Sequence, residues 1–162
     1  MQRRTLTAAL CGAAVLAFGL TGCGEKAPEA PKAVTLTVGA TPVPHADILK
    51  FIEPTLKKEG VNLKVVEFSD YVKPNLALSD KELDANFFQH KPYLDTFSAE
   101  RGLKLSVLCS VHIEPMGVYS RKVKSLKDLP EGAKIAIPND PTNGGRALKV
   151  LADAGLFGLK DG

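Results

Sequence analysis

Apolar and polar residues alternate along Val34–Gly39 (VTLTVG), and the β-branched residues there predict a strand. Thr41-Pro42-Val43-Pro44 reads as a turn. After it, Ile48, Phe51, Ile52 and Leu56 recur on one helical face, predicting a helix over His45–Glu59 that Pro54 bends or weakens and Gly60 stops. Asn62–Phe68 (NLKVVEF) predicts a second strand, and Tyr71–Leu78 a short helix capped by Ser69 or Asp70. Asp84–Gln89 predicts a third strand, followed by a helix over Lys91–Arg101 with Pro92 in its first turn. Further strands are expected at Leu103–Val111 and Met116–Ser120, with one helical turn at Ser125–Leu129. A last strand, Ala133–Ile137, leads to a helix over Arg146–Leu156.

This alternation of strand and helix predicts an α/β fold with a mostly parallel sheet flanked by helices. Such sheets bind ligands beyond the carboxyl ends of their strands. Tyr71 falls after the second strand, Phe88, His90 and Tyr93 at or after the third, and Asn143 and Arg146 after the last. An apolar and aromatic wall with a few fixed polar groups is what a small-ligand pocket requires. Taken singly, each aromatic reads equally well as sheet-edge packing, and His90 as a helix cap.

The stretch PNDPTNGGRAL at Pro138–Leu148 adds chemistry to that pattern. Asn139, Asp140, Thr142 and Asn143 can each cap the helix that follows, and Gly144 and Gly145 keep bulk away from its first turn. A helix N-terminus attracts anions, and the planar fork of Arg146 matches a carboxylate or phosphate bidentately. Two readings stand on these residues alone: a small-anion clamp, or an ordinary capped turn with a solvated arginine.

Residues Met1–Gly22 read as a targeting leader, with Arg3 and Arg4 before an apolar run, Thr7–Phe18, too short to span a bilayer. The leader ends in Leu20-Thr21-Gly22-Cys23, a lipobox, so Cys23 is expected to carry lipid after cleavage. Gly24–Lys32 (GEKAPEAPK) reads as a semi-extended tether. The formal charge of +3 falls to +1 when the two leader arginines are removed. That balance, without a basic stripe interleaved with aromatics, argues against nucleic acid. Cys11 leaves with the leader and Cys23 is lipidated, so Cys109 stands alone in an apolar run, expected as a buried small hydrophobe.

No G-x-S-x-G nucleophile elbow and no Walker A motif occurs, so these residues support neither a serine hydrolase nor an ATPase. His45, His90 and His112 share no ligand-like spacing with one another, and no Cys/His run of zinc type occurs; no metal site and no cofactor are expected.

Together the lipobox, GATPVPHADIL (Gly39–Leu49), YVKPNLAL (Tyr71–Leu78), DANFFQHKPYLD (Asp84–Asp95), EPMGVYS (Glu114–Ser120) and PNDPTNGGRALKVLADAGL (Pro138–Leu156) resemble the NlpA/MetQ family. These lipoproteins are the substrate-binding components of methionine ABC importers. The resemblance implies a periplasmic-binding-protein-like fold of two lobes, 33–120 and the start of a second at 121–162, after the leader (1–22) and the lipidated cysteine with its tether (23–32). It implies that Tyr71, Phe88, His90, Tyr93, Asn143 and Arg146 contact L-methionine, the aromatics around its thioether and Arg146 on its α-carboxylate. It further implies a lipid-anchored protein facing the periplasm or cell exterior, delivering methionine to a permease and an ATPase subunit. Family members run on well beyond Gly162, so the second lobe is expected to be incomplete in this chain. D-methionine, another small amino acid or a methionine-containing dipeptide remain alternative ligands, and a non-transporting surface lipoprotein the alternative class.

Overall fold

The computed structural model describes residues 33–160; the leader, Cys23 and the tether lie outside the described residues. Strand β1 (Val34–Ala40) is the centre of a parallel three-stranded sheet ordered β2-β1-β3, with β2 at Val61–Glu67 and β3 at Ala85–Phe87. Its register runs from Val34 opposite Val61 to Ala40 opposite Glu67 on one side, and from Val38 opposite Ala85 to Ala40 opposite Phe87 on the other. Both neighbours are reached by helical crossovers, as parallel pairing requires. Burial deepens along β1, from an exposed Val34 to a fully buried Ala40, so its carboxyl end points into the molecule where ligands are expected.

The first crossover passes through a kinked helical turn, Pro42–Ala46, into α1 (Asp47–Lys58), which continues across Pro54. Ala46 and Leu49 pack with Val38 and Ala40, and Leu63, Val65, Ala85 and Phe87 close this core. The second crossover carries α2 (Lys73–Ser79), whose first turn is held by Asp70 Oδ1 accepting from the main-chain N–H groups of Val72 and Lys73. A buried amide network then ties α2 to the end of β3. Asn75, wholly buried, donates to Gln89 Oε1 at 2.8 Å and accepts from Asn86 at 2.9 Å and Gln89 at 2.8 Å. Asn86 also donates to the Pro74 carbonyl at 3.1 Å. Each buried amide is thereby satisfied, and the residues that follow β3 are set in place.

Helix α3 (Lys91–Arg101) has the bounds its sequence predicts and ends at Gly102, whose φ of 66° is the left-handed conformation that closes a helix without a Cβ penalty. Phe88, Tyr93 and Phe97 form a second core with Leu76 and Leu103. Helix α4 (Pro141–Asp153) packs against α3.

Between α3 and α4 the sequence reading is corrected. The strands expected at Leu103–Val111, Met116–Ser120 and Ala133–Ile137 are not formed, although the helical turn at Leu126–Asp128 is. Alternating apolar residues become a strand only against a partner edge, because the hydrogen bonds and cross-strand contacts are shared between strands. Here Leu108, Ile113 and Tyr119 are 86%, 92% and 90% exposed, with no edge beside them. Cys109 is exposed rather than buried for the same reason.

Candidate ligand-binding site

Helix α4 begins at Pro141, five residues before the expected start, because Asp140 is its N-cap. The Asp140 carboxylate accepts from the Asn143 main-chain N–H at 2.8 Å, the Thr142 hydroxyl at 2.7 Å and the Asn143 side-chain amide at 3.0 Å. The helix end therefore already holds an anion, supplied by the protein itself. Of the features that the two sequence readings share, the structure shows the cap formed. Arg146 stands exposed one turn further on. Its Nη1 donates to Asn143 Oδ1 at 3.0 Å and its Nη2 to the Glu114 carbonyl at 3.1 Å. A guanidinium carries five N–H donors, so three are left for a ligand. Gly144 gives the chain a close approach there, since a Cβ would lie 3.1 Å from the Pro138 carbonyl oxygen, tighter than an ordinary contact. A Cβ at Gly145 meets nothing within 4 Å.

Arg146 and Asn143 line a pocket of about 190 Å³ together with Tyr71, Glu114, Pro115, Met116 and Pro138. That is below the ~300–1,000 Å³ of clefts for drug-sized ligands and suits a small one. Of the six residues expected at the site, Tyr71, Asn143 and Arg146 line this pocket. Phe88 and Tyr93 stand behind it. The Tyr71 ring lies edge-on to both, at centroid distances of 5.6 and 5.9 Å, and the Tyr93 hydroxyl donates to the Tyr71 carbonyl at 2.8 Å. Phe88 and Tyr93 are 3% and 6% exposed, so they form a rigid backing and Tyr71, 46% exposed, is the surface they present. Glu114, Pro115, Met116 and Pro138 were not singled out from sequence; EPM was visible only as a motif without a pocket to belong to.

His90 occupies the N-cap position of α3, but its side chain makes no capping hydrogen bond. Its Nε2 is buried without a partner among the described residues. Burial holds its pKa below the ordinary histidine value, the Arg146 charge lowers it further, and Asp140 opposes both. An imidazole with an unused nitrogen thus sits within the field of Arg146 and Asp140. His45 is also buried and neutral-leaning: burial lowers its pKa first, and of the neighbouring charges Glu114 raises it while His112 lowers it.

Asp140 makes the cap of α4 pH-dependent. Burial alone would raise its carboxyl pKa, but the hydrogen bonds from Asn143 and Thr142 outweigh burial and hold it below the usual value. A group whose native pKa lies below its unfolded one stabilises the fold above the unfolded value, about 3.9, and loses that contribution as pH falls through the native value. Asp140→Ala is therefore expected to cost about 0.5–2 kcal/mol at pH 7, and its difference from wild type in chemical denaturation should shrink below about pH 4. A difference that stays constant from pH 7 to pH 3 would show that the carboxylate charge is not what caps α4.

A parallel α/β unit with a small pocket framed by aromatic, apolar and guanidinium groups has the fold and the lining expected of small-molecule-binding α/β proteins. More particularly, the chain belongs to the NlpA lipoprotein family, whose model matches residues 36–162. It is 46% identical over 151 residues to the methionine-binding lipoprotein MetQ of Bacillus subtilis, covering 91% of this chain and 55% of that one. Against the D-methionine-binding lipoprotein MetQ of Escherichia coli K12 the identity is 44% over 159 residues, covering 96% and 57%. Among solved structures it is similar to a nutrient binding protein from Burkholderia cenocepacia bound to methionine, with a TM-score of 0.74 and 50% identity over 78% of this chain and 53% of that one. The chain thus spans about half the length of the curated relatives it matches.

Proposed function

We propose that this chain provides one part of a methionine-binding lipoprotein that hands its ligand to an ABC importer, and that it is not an enzyme. The observation that carries the reading is the pocket where Tyr71, Asn143 and Arg146 meet, in a fold half-identical in sequence to a protein solved with methionine bound. Arg146 pairs with the α-carboxylate, supported by Asn143. Tyr71, backed by Phe88 and Tyr93, meets the thioether. His90 offers its free nitrogen to a polar group of the ligand. Residues 33–120 form the first lobe and 121–162 open the second, so the segment 103–137, left without strand partners here, gains them from the part of the relatives' length that this chain does not span.

The partners of this reading are methionine, a permease, an ATPase and the outer face of a membrane, with no nucleic acid. D-methionine or a methionine dipeptide would satisfy the same clamp. The test uses residues 1–162 joined to the C-terminal portion of the Bacillus subtilis relative, called the extended chain below, titrated with methionine in a calorimeter.

The anchor is proposed from the lipobox, which lies outside the described residues. Cys23 carries diacylglycerol after removal of everything up to Gly22. Intact mass of the membrane fraction is expected to show a lipidated N-terminus at Cys23, and Cys23→Ala is expected to leave the membrane. Tight membrane retention of the variant would refute the anchor.

A further inference from the structure

His45 meets His112 and Glu114 although it lies far from both in sequence, and their ligand atoms lie within 4.8 Å of one another. We propose that these three side chains form a binding site for a divalent transition-metal ion of the zinc class, a site that fixes the segment after α3 onto the sheet. Two imidazoles and one carboxylate are a donor set that suits zinc, with one position left for water.

The geometry is close to what an ion needs. In a tetrahedral site with bonds of about 2.0–2.1 Å, ligand atoms stand roughly 3.3–3.5 Å apart. His45 Nε2 and Glu114 Oε1 are 3.6 Å apart, and His112 Nε2 and Glu114 Oε1 are 2.8 Å apart, a hydrogen bond that must open slightly to admit a metal. His45 Nδ1 is hydrogen-bonded to Thr41 Oγ1 at 2.8 Å. When Nδ1–H donates to that hydroxyl, Nε2 carries a lone pair and faces a carboxylate oxygen at 3.6 Å. Two acceptors then face each other at the edge of the core, and a cation can bridge them. Ring orientation is already restricted: Phe87 stands edge-on to both imidazoles, with centroids 4.6 Å from His45 and 5.5 Å from His112. Ligating histidines are usually positioned in this way by the partner of the other ring nitrogen.

The placement gives the ion a structural consequence. His45 belongs to the turn that opens α1 beside the central strand, whereas His112 and Glu114 belong to the segment without strand partners. A metal would clip that segment to the core. It would also steady the Glu114 main chain, whose carbonyl accepts from Arg146.

The test is to strip the untagged full chain of metal and titrate it with zinc chloride by calorimetry, then record zinc X-ray absorption on the loaded protein. One ion per chain is expected, with two imidazole nitrogens in its first shell and an upward shift in melting temperature. His112→Ala and Glu114→Gln, both toward the surface, are expected to weaken binding by more than the ~10–100-fold typical of losing a supporting residue, and Thr41→Val by about that amount. An absence of binding would overturn the proposal. So would binding that survives in both His112→Ala and Glu114→Gln, since the ion would then sit elsewhere, or a first shell without imidazole.

Discussion

Arg146→Ala in the extended chain is expected to weaken methionine about 30- to several-thousand-fold. Every amino acid carries an α-carboxylate, so the guanidinium should govern affinity while the aromatic side governs choice. Two of the Arg146 donors are already used, on Asn143 and on the Glu114 carbonyl, and those bonds hold the remaining N–H groups in a fixed plane. Removing the cation leaves the ligand carboxylate without a charged partner, because the α4 N-terminus is occupied by Asp140. Truncating one side of a desolvated charge pair typically costs about 2–5 kcal/mol. Arg146→Lys keeps the charge but loses the planar fork, and should recover only part of the loss. Methionine amide, which lacks the carboxylate, should bind weakly to wild type and be much less affected by Arg146→Ala. If the variant weakens methionine and its amide by the same factor, Arg146 is a structural residue and the clamp is wrong.

Phe88→Ala and Tyr71→Ala are expected to separate stability from binding. Phe88 is 3% exposed within the second core, and truncating such a residue typically costs about 3–5 kcal/mol. Tyr71 is half-exposed, and the hydrogen bond that ties it down is made through its main-chain carbonyl, which truncation of the side chain leaves in place. Its replacement should cost little in urea denaturation yet weaken methionine several-fold, through loss of sulfur–aromatic contact worth about 0.3–1.5 kcal/mol and the area around it. A Tyr71→Ala protein as unstable as Phe88→Ala would place Tyr71 in the core rather than on the pocket wall.

The elements legible in the sequence are those whose signals are local. For α3, Pro92 in the first turn marks the start, and the structure keeps it. β1 is legible because its alternation meets two neighbours close in sequence. Leu103–Val111 carries a similar pattern, but a pattern of side chains does not supply the partner edge a strand needs. In the stretch around α4 the sequence offers four capping residues, and geometry selects Asp140, which moves the helix start and turns an open anion site into a filled one. Tyr71, Asn143 and Arg146 could be placed at strand and helix ends, whereas the difference between Tyr71 at the pocket surface and Phe88 behind it depends on burial that periodicity does not encode. Spacing along the chain, in which His45 and His112 show no ligand pattern, is silent about groups that the fold brings together. The Asn75 network is illegible for the same reason: three amides carry no signal until the fold brings them around the buried Asn75.

Calorimetric titration of the extended chain with L-methionine and, separately, with L-glutamate tests the binding reading most directly. Both ligands offer Arg146 the same α-carboxylate, so the comparison isolates the surface that meets the side chain. Methionine should bind at one per chain and glutamate should not, because its second carboxylate would be desolvated against Tyr71 and Met116 without a partner. Equal binding of the two, or glutamate alone, would contradict the account.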